Sequence, residues 1–562
     1  MRLPLLSFAP SLALRLGIAL VIAFPPLAAL GQEAEGQEAA IGQEAEAGHE
    51  GEALGAVHFP VSCAPAVQAE FDRAVALLHH MMYVESREAF GGIAERDPGC
   101  AMAHWGIAMT LFQPLWPTRP GPEQIRRGWE EVRKAKELEP ATDRERAFVA
   151  AVEAFYREPE TAEWWTRISR WAESMQTVYE AYPDDIEAAA FYALSHLASG
   201  QVAEDRMAHQ AQAAEILLTI YQRERTHPGA IHYTIHANDV DGRADESLSV
   251  VRSYDDIAPS VPHALHMPTH IYVRLGHWPE VMEWNRKSAE AALLFPAGDA
   301  VSHHYPHAMD YLVYAYLQRG EDEEAEAALA ESLTKEDYQR TFISAFHLAA
   351  MPARYAVERH DWTVAAALPA RTPSYLPWDR YPWPESLTWF ARGLGAVRTG
   401  DLAAAHRAIE RMEVLRNGAE EAGERSFAEY IEIDRLILAA WLARAGGKGA
   451  EALALARASA ELEGATQKHP VTPGSLLPAN EALGDLLMEL GRPEEALPAY
   501  QASLGAWPRR FHSLLGAARA ARAAGQDRVA SRYYAELLAV VGETETLRSG
   551  VREARQYVTD TE

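Results

Sequence analysis

Two short stretches of the chain pair histidines at a spacing suited to holding a metal ion. They are His227-Pro-Gly-Ala-Ile-His232-Tyr-Thr-Ile-His236-Ala-Asn-Asp239 and His263-Ala-Leu-His266-Met-Pro-Thr-His270. His232 and His236 are four residues apart, as are His266 and His270. On a helix this spacing stacks both imidazoles on one face, one turn apart, as when a helix gives two ligands to one ion in HExxH zinc sites. The pairs also repeat, since His266 and His270 lie 34 residues after His232 and His236. His227, His263 and Asp239 flank the pairs, and His307 and Asp310 follow. Twelve of the 22 histidines fall between His196 and His307. A lone histidine is most simply a satisfied polar or core residue. Two in-register pairs with more His and Asp beside them point to a transition-metal site, with a pH-sensing cluster as the other functional reading.

Imidazole with some carboxylate suits copper or zinc foremost, and also iron or nickel, whereas magnesium and calcium ask for more oxygen. The trios His227/His232/His236 and His263/His266/His270 allow two ions with three histidines each. Asp239 or Asp310 would orient a ligand imidazole from behind or act as general base. A closed structural site and an open one, activating water or binding dioxygen, both fit these residue types, so no catalytic residue is assigned. No GxSxG elbow or CxxCH haem attachment is present; Gly447-Lys448-Gly449 makes no P-loop, and Gly393-Leu394-Gly395 is too short for a dinucleotide fingerprint.

The elements that must position these side chains are helices. Long amphipathic segments rich in Ala, Leu and Glu run in pairs, and strand-type alternation is nearly absent. Counted from Leu477, Leu483, Gly484, Ala496, Tyr500 and Pro508 take positions 7, 8, 20, 24 and 32 of a 34-residue unit, and Ala518, Ala530 and Tyr534 follow in the next. Ser86, Phe90 and Pro98 fit near the N-terminus. Over most of residues 60–545 the chain resembles the tetratricopeptide repeat family. The resemblance implies an all-α, right-handed solenoid of helix pairs, with a concave groove that takes a peptide or protein partner. It also implies that both histidine pairs, at positions 5 and 9 of neighbouring units, face that groove. The wording HPGAxHYxIHAxD with HALHMPxHIxxRLGxW is similar to a group of exported bacterial tetratricopeptide proteins, and points to His227, His232, His236, Asp239, His263, His266 and His270.

Pro268 falls inside a first helix and should kink or interrupt it, a local-rule violation that hints at function. Pro373 to Trp389, rich in Pro and aromatics, reads as an ordered loop packed on the solenoid, with a lid over the groove as the sharper alternative. His79 and His80 lie at the end of an N-terminal helix and His104 opens the next unit; the sequence does not place these three relative to the groove. His277, His347, His360, His406, His469 and His512 are isolated and read as solvated or structural.

Arg2 and Arg15, an apolar run from Leu16 to Leu30 and the small residues Ala29 and Gly31 read as a signal peptide over residues 1–31, hence a secreted or periplasmic protein with no membrane span once the signal is removed. An acidic spacer is expected over 32–56, of which Gln32 to Glu52 is low-complexity. N-terminal repeat helices follow over 57–185, the His-rich units over 186–335 and further repeats over 336–562. Export makes a Cys63–Cys100 disulfide the expectation for the two cysteines. With 52 basic and 80 acidic residues the net charge is −28, which excludes a general nucleic-acid binder. Two function classes remain: an exported metal-binding solenoid, as a metalloenzyme an oxidase or hydrolase, and a non-catalytic protein-interaction scaffold. The in-register histidines and Pro268 favour the first.

Overall fold

The structure, a computed structural model, describes residues 53–562 apart from 117, 118, 204 and 562, and the side chains of 255 and 561. The expected signal segment and the spacer up to residue 52 lie outside the described residues. Residues 53–56, assigned to the spacer by sequence, pack on the fold: Leu54 is buried and its carbonyl accepts from His80 Nε2 at 3.0 Å. An apolar side chain with a partner in reach ends the spacer earlier than composition alone suggests.

The fold is all-α, an array of packed helix pairs. Among the described residues there is no β-strand, only two isolated bridges. The helices that build the site are α1 (Gln68–His79), α2 (Ile186–Ser199), α3 (Arg206–Arg223), α4 (Pro228–Asn238), α5 (Pro262–His266), α6 (Pro268–Leu275), α7 (Trp278–Ala292), α8 (His304–Arg319) and α9 (Phe342–Glu358). Consecutive helices pack against each other, and so do members of an inner row, α1 on α4, α4 on α6, α5 on α8 and α8 on α9. All the histidines singled out at the centre of the chain lie on this row or at its helix ends.

Local chemistry sets the boundaries. Pro228 and Pro262 open α4 and α5 at positions whose N–H would have no helical partner. Gly276 and Gly320 close α6 and α8 in the left-handed region, at φ 67° and 74°, where any side chain would be strained. At Pro268 the helix breaks into α5 and α6 around Met267, as expected for a residue that cannot donate to the preceding turn. Cys63 and Cys100 are disulfide-bonded, tying the N-terminal segment to the start of the helix at Ala101.

The array folds back on its own centre. Residues 466–478, between two C-terminal helices, lie across the inner row. Tyr311 Oη donates to the Pro470 carbonyl at 2.8 Å, Arg354 Nη1 to the Gly474 carbonyl at 3.1 Å, and Lys468 Nζ to Asp239 Oδ2 at 3.0 Å. Further out, Trp278 Nε1 donates to the Arg509 carbonyl, and Phe511 N–H to Gln318 Oε1. The groove over the His-rich units is therefore roofed, not open. The stretch 373–389 is not a lid: it is half helix, since Pro382–Thr399 (α10) starts within it. Trp383 is buried, its ring 4.7 Å from Phe346 and 4.6 Å from Tyr430.

Arg354 joins roof to row, because it also donates to Asp310 Oδ1 at 2.9 Å. Arg354→Met leaves that buried carboxylate without its cation, and should lower unfolding free energy by about 3–5 kcal/mol in urea titrations. A loss below about 1 kcal/mol would contradict the roof's role.

Candidate metal centre

Six imidazoles meet under the roof in two trios, His232/His236/His263 and His266/His270/His307, and within each the nitrogens offered lie within 4.8 Å of one another. The trios adjoin, with ring centroids 5.9 Å apart for His236 and His270 and 6.1 Å for His263 and His266. Five of the six rings are at most 3% exposed, and His236 is half-buried. A cavity of about 320 Å³ touches His236, His263, His270 and His307, with Trp116 and His469 also in its wall.

The grouping differs from the one read off the sequence. His263 stands at the start of α5, before the break at Met267, and faces back to His232 at 4.9 Å. His307 on α8 completes the second trio, its ring 4.1 Å from His266. His227 joins neither trio. It caps α4 by accepting from Ala230 N–H at 3.0 Å, and its Nε2 donates to Glu187 at 3.1 Å. Asp239 and Asp310 do not point at an ion position; both support imidazoles from behind.

Support from outside fixes which nitrogen carries the proton in four of the six rings. Asp239 Oδ2 accepts from His270 Nδ1 at 3.0 Å, Oδ1 from Arg274 Nε at 2.8 Å. Burial alone would raise the Asp239 pKa, but Lys468 and Arg274 hold it well below the usual carboxylate range. An ionised carboxylate only accepts, so His270 bears its proton on Nδ1. Asn285 Nδ2 donates to the Val281 carbonyl, which turns Oδ1 toward His266 Nδ1 at 2.7 Å. His266 is thus also protonated on Nδ1. His307 is reached by a relay: Asp310 Oδ2 accepts from His347 Nδ1 at 3.0 Å, and His347 Nε2 accepts from His307 Nδ1 at 2.7 Å. Burial works against the Asp310 charge, and Arg354 and His347 more than offset it. In the other trio His232 Nδ1 donates to the His79 carbonyl at 2.6 Å.

Four rings therefore turn an unprotonated Nε2 inward. His266 Nε2 and His270 Nε2 face each other at 3.0 Å, two lone pairs with no proton to share. The Nε2 atoms of His232 and His236 and both nitrogens of His263 are buried without any partner. Buried polar atoms left this way cost roughly 1–3 kcal/mol each. A cation between them removes the cost, and two imidazole nitrogens bound at about 2.0–2.1 Å to one ion sit roughly 3 Å apart. The donor set fits a transition metal.

The other clusters do not. His79 Nε2 and His227 Nε2 both donate to Glu187, at 2.8 and 3.1 Å, and His79 Nδ1 accepts from Tyr233 Oη at 3.0 Å. No lone pair is left, so this group is a brace that holds the His79 carbonyl against His232. A side chain at Gly229 would come within 2.6 Å of His79 Nδ1, so the Gly of the PGA motif makes room for the brace. Cys63 and Cys100, near Asp97, are spent in the disulfide.

Sequence reasoning missed four supporting residues. His347 is buried in the relay and His469 lines the cavity, against the reading of both as isolated. Asn285 and Lys468 carried no signal at all. His80 is buried on Tyr254, and His104 pairs with Glu131, away from the trios.

No family model matches the chain, and no curated protein does. Among solved structures it is similar to the APC/C hetero-tetramer Cut9–Hcn1, at 12% identity and TM-score 0.31, over 88% of this chain and 89% of that one. It is also similar to an IFIT1 monomeric mutant with Gppp-AAAA, at 11% identity and TM-score 0.37, over 78% and 90%. Likeness at this level carries no argument about the site.

Burial depresses the pKa of these rings, to about 3 for His236, and does the same outside the trios, to about 4 for His80 and His512 and about 3 for His360. Unfolded histidines titrate near 6.5. Below that pH the unfolded chain binds protons the fold refuses, so stability falls as pH falls. Each such ring contributes up to ~1.4 kcal/mol per pH unit. Glu463 and Asp485, pushed up to about 7 by burial, act in the opposite sense but are fewer. Metal-free protein should lose on the order of 5 kcal/mol of unfolding free energy between pH 6.5 and 5. A flat profile in urea titrations would contradict the neutral, inward-facing rings.

Proposed function

We propose that this protein binds two transition-metal ions, one per histidine trio, and uses them as a redox centre of the oxidase type. The single observation that carries the proposal is the set of buried imidazole nitrogens converging in two adjacent trios, with the proton position of four of the six rings fixed from outside. Three protein ligands per ion leave a coordination position open, whereas a structural site closes with four. All-imidazole donors suit copper, with zinc next. When bound, such a pair supplies one-electron steps and a place for dioxygen.

Hydrolysis is the weaker chemistry here. It would be helped by a carboxylate free to take a proton from the metal-bound water. Asp239 is engaged by His270, Arg274 and Lys468, and Asp310 by His347 and Arg354. Among the described residues the carboxylates beside the trios are thus committed. Export forms part of the proposal. It rests on the signal-like residues 1–31 and agrees with a disulfide in an oxidising compartment.

A non-catalytic scaffold is favoured by a different observation. The C-terminal units carry a cleft of about 1040 Å³ lined by Trp362, Arg398, Trp441, Asp485 and Arg519. Its mix of aromatic and charged groups suits a peptide, so docking there is compatible with a metal centre elsewhere.

Copper-loaded protein should hold two ions per chain by elemental mass spectrometry. A His232→Ala/His236→Ala variant should hold one, as should His266→Ala/His307→Ala, and the four-fold variant none. Dioxygen uptake with a reducing substrate should need both trios. No bound metal after loading with copper or with zinc would sink the proposal.

A further inference from the structure

A second cavity, of about 610 Å³, adjoins the first and shares His236, His469, Leu115 and Pro470 with it. Three of its walls are aromatic, from Trp165, Phe427 and Tyr430. Two of its polar groups stand on one face of α3, Arg206 and Gln210, four residues apart.

Among the described residues neither of these two has a hydrogen-bond or ion-pair partner. Gln210 is 5% exposed and its Oε1 is buried without a hydrogen bond. The Arg206 guanidinium feels Tyr430, Asp239 and Arg274 electrostatically but pairs with none of them. The cavity's other guanidinium is spent: Arg119 binds Glu424 through Nε and Nη2, at 3.0 and 3.2 Å. Asp239, whose charge reaches Arg206, is already held by Lys468 and Arg274. Among the described residues one positive charge is thus uncompensated in a pocket of mixed aromatic and polar lining, in a chain whose net charge is −28.

We infer that this cavity binds a small organic carboxylate with a flat apolar body, presenting it beside His236. A guanidinium matches a carboxylate with two parallel hydrogen bonds. Gln210, with its amide turned so that Nε2 faces the pocket, supplies a further donor. Trp165, Phe427 and Tyr430 suit a planar body by stacking or edge contact. One free cation among the described residues fits a monoanion; a phosphate dianion would call for more. The inference deepens the metal-centre reading by naming the class of molecule brought to it, but the binding does not itself need metal.

The test is titration of benzoate into metal-free, full-length protein, followed by calorimetry and by tryptophan fluorescence. Benzoate should bind saturably at one site. Benzamide, which keeps the ring and loses the charge, and acetate, which keeps the charge and loses the ring, should each bind at least about tenfold more weakly. Arg206→Gln should weaken benzoate by a similar factor and leave benzamide unchanged, while Arg206→Lys retains part of the affinity. Arg206 makes no contact that the fold needs, so Arg206→Gln should keep the parent's melting temperature and its metal content. Absence of saturable benzoate binding, equal binding of benzamide, or full affinity in Arg206→Gln would each overturn the inference. Benzoate bound by a protein that takes up no metal would uphold it while removing the metal-centre reading.

Discussion

An imidazole buried away from water must place its one proton on a nitrogen that has an acceptor, and this constraint organises the centre of the molecule. Once Asp239, Asn285, the His347 relay and the His79 carbonyl have claimed the Nδ1 protons of His270, His266, His307 and His232, the Nε2 atoms have no hydrogen to give. Those of His266 and His270 face each other at 3.0 Å. Lone pairs gathered in a dry space repel. A positive ion among them would offset that repulsion, and burial opposes a proton in that role.

The acceptors impose a constraint of their own. Asp239 and Asp310 are ionised inside the protein, which is costly unless cations are brought to them. Arg274 comes from the same helix as His270, but Lys468 lies 229 residues from Asp239 in sequence, and Arg354 ties Asp310 to the segment at Gly474. The C-terminal repeats must therefore fold back across the centre. This explains why a solenoid that would present an open groove is closed over these units, and why the remaining cavities reach the trios from the side. The brace of His79, Glu187 and His227 does the same work at the other end, holding α1, α2 and α4 in one place.

Much of this was legible in the sequence where it is periodic. The 34-residue register placed His232, His236, His266 and His270 on equivalent faces, and Pro268 marked the break between α5 and α6. What escaped is what breaks the period. His347 follows His307 by 40 residues, because residues 334–341 form an extra segment between helices, with Val301 bridged to Tyr338. Asn285 sits on the second helix of its pair and reaches inward past α5. His227 looked like a member of the first trio, yet its place just before Pro228 made it a helix cap. The trios were drawn by nearness in sequence, whereas the fold pairs His263 with the helix before it and His307 with the helices before it. The roof, made by residues far along the chain, left no local trace.

The most direct test is a crystal structure of copper-loaded protein with anomalous scattering data collected at the copper edge. The account predicts two peaks under the segment 466–478, one bonded to His266 Nε2, His270 Nε2 and His307 Nε2, the other to His232 Nε2, His236 Nε2 and a nitrogen of His263. Peaks at the His79, Glu187 and His227 group, or only at exposed histidines, with the two trios empty, would contradict it.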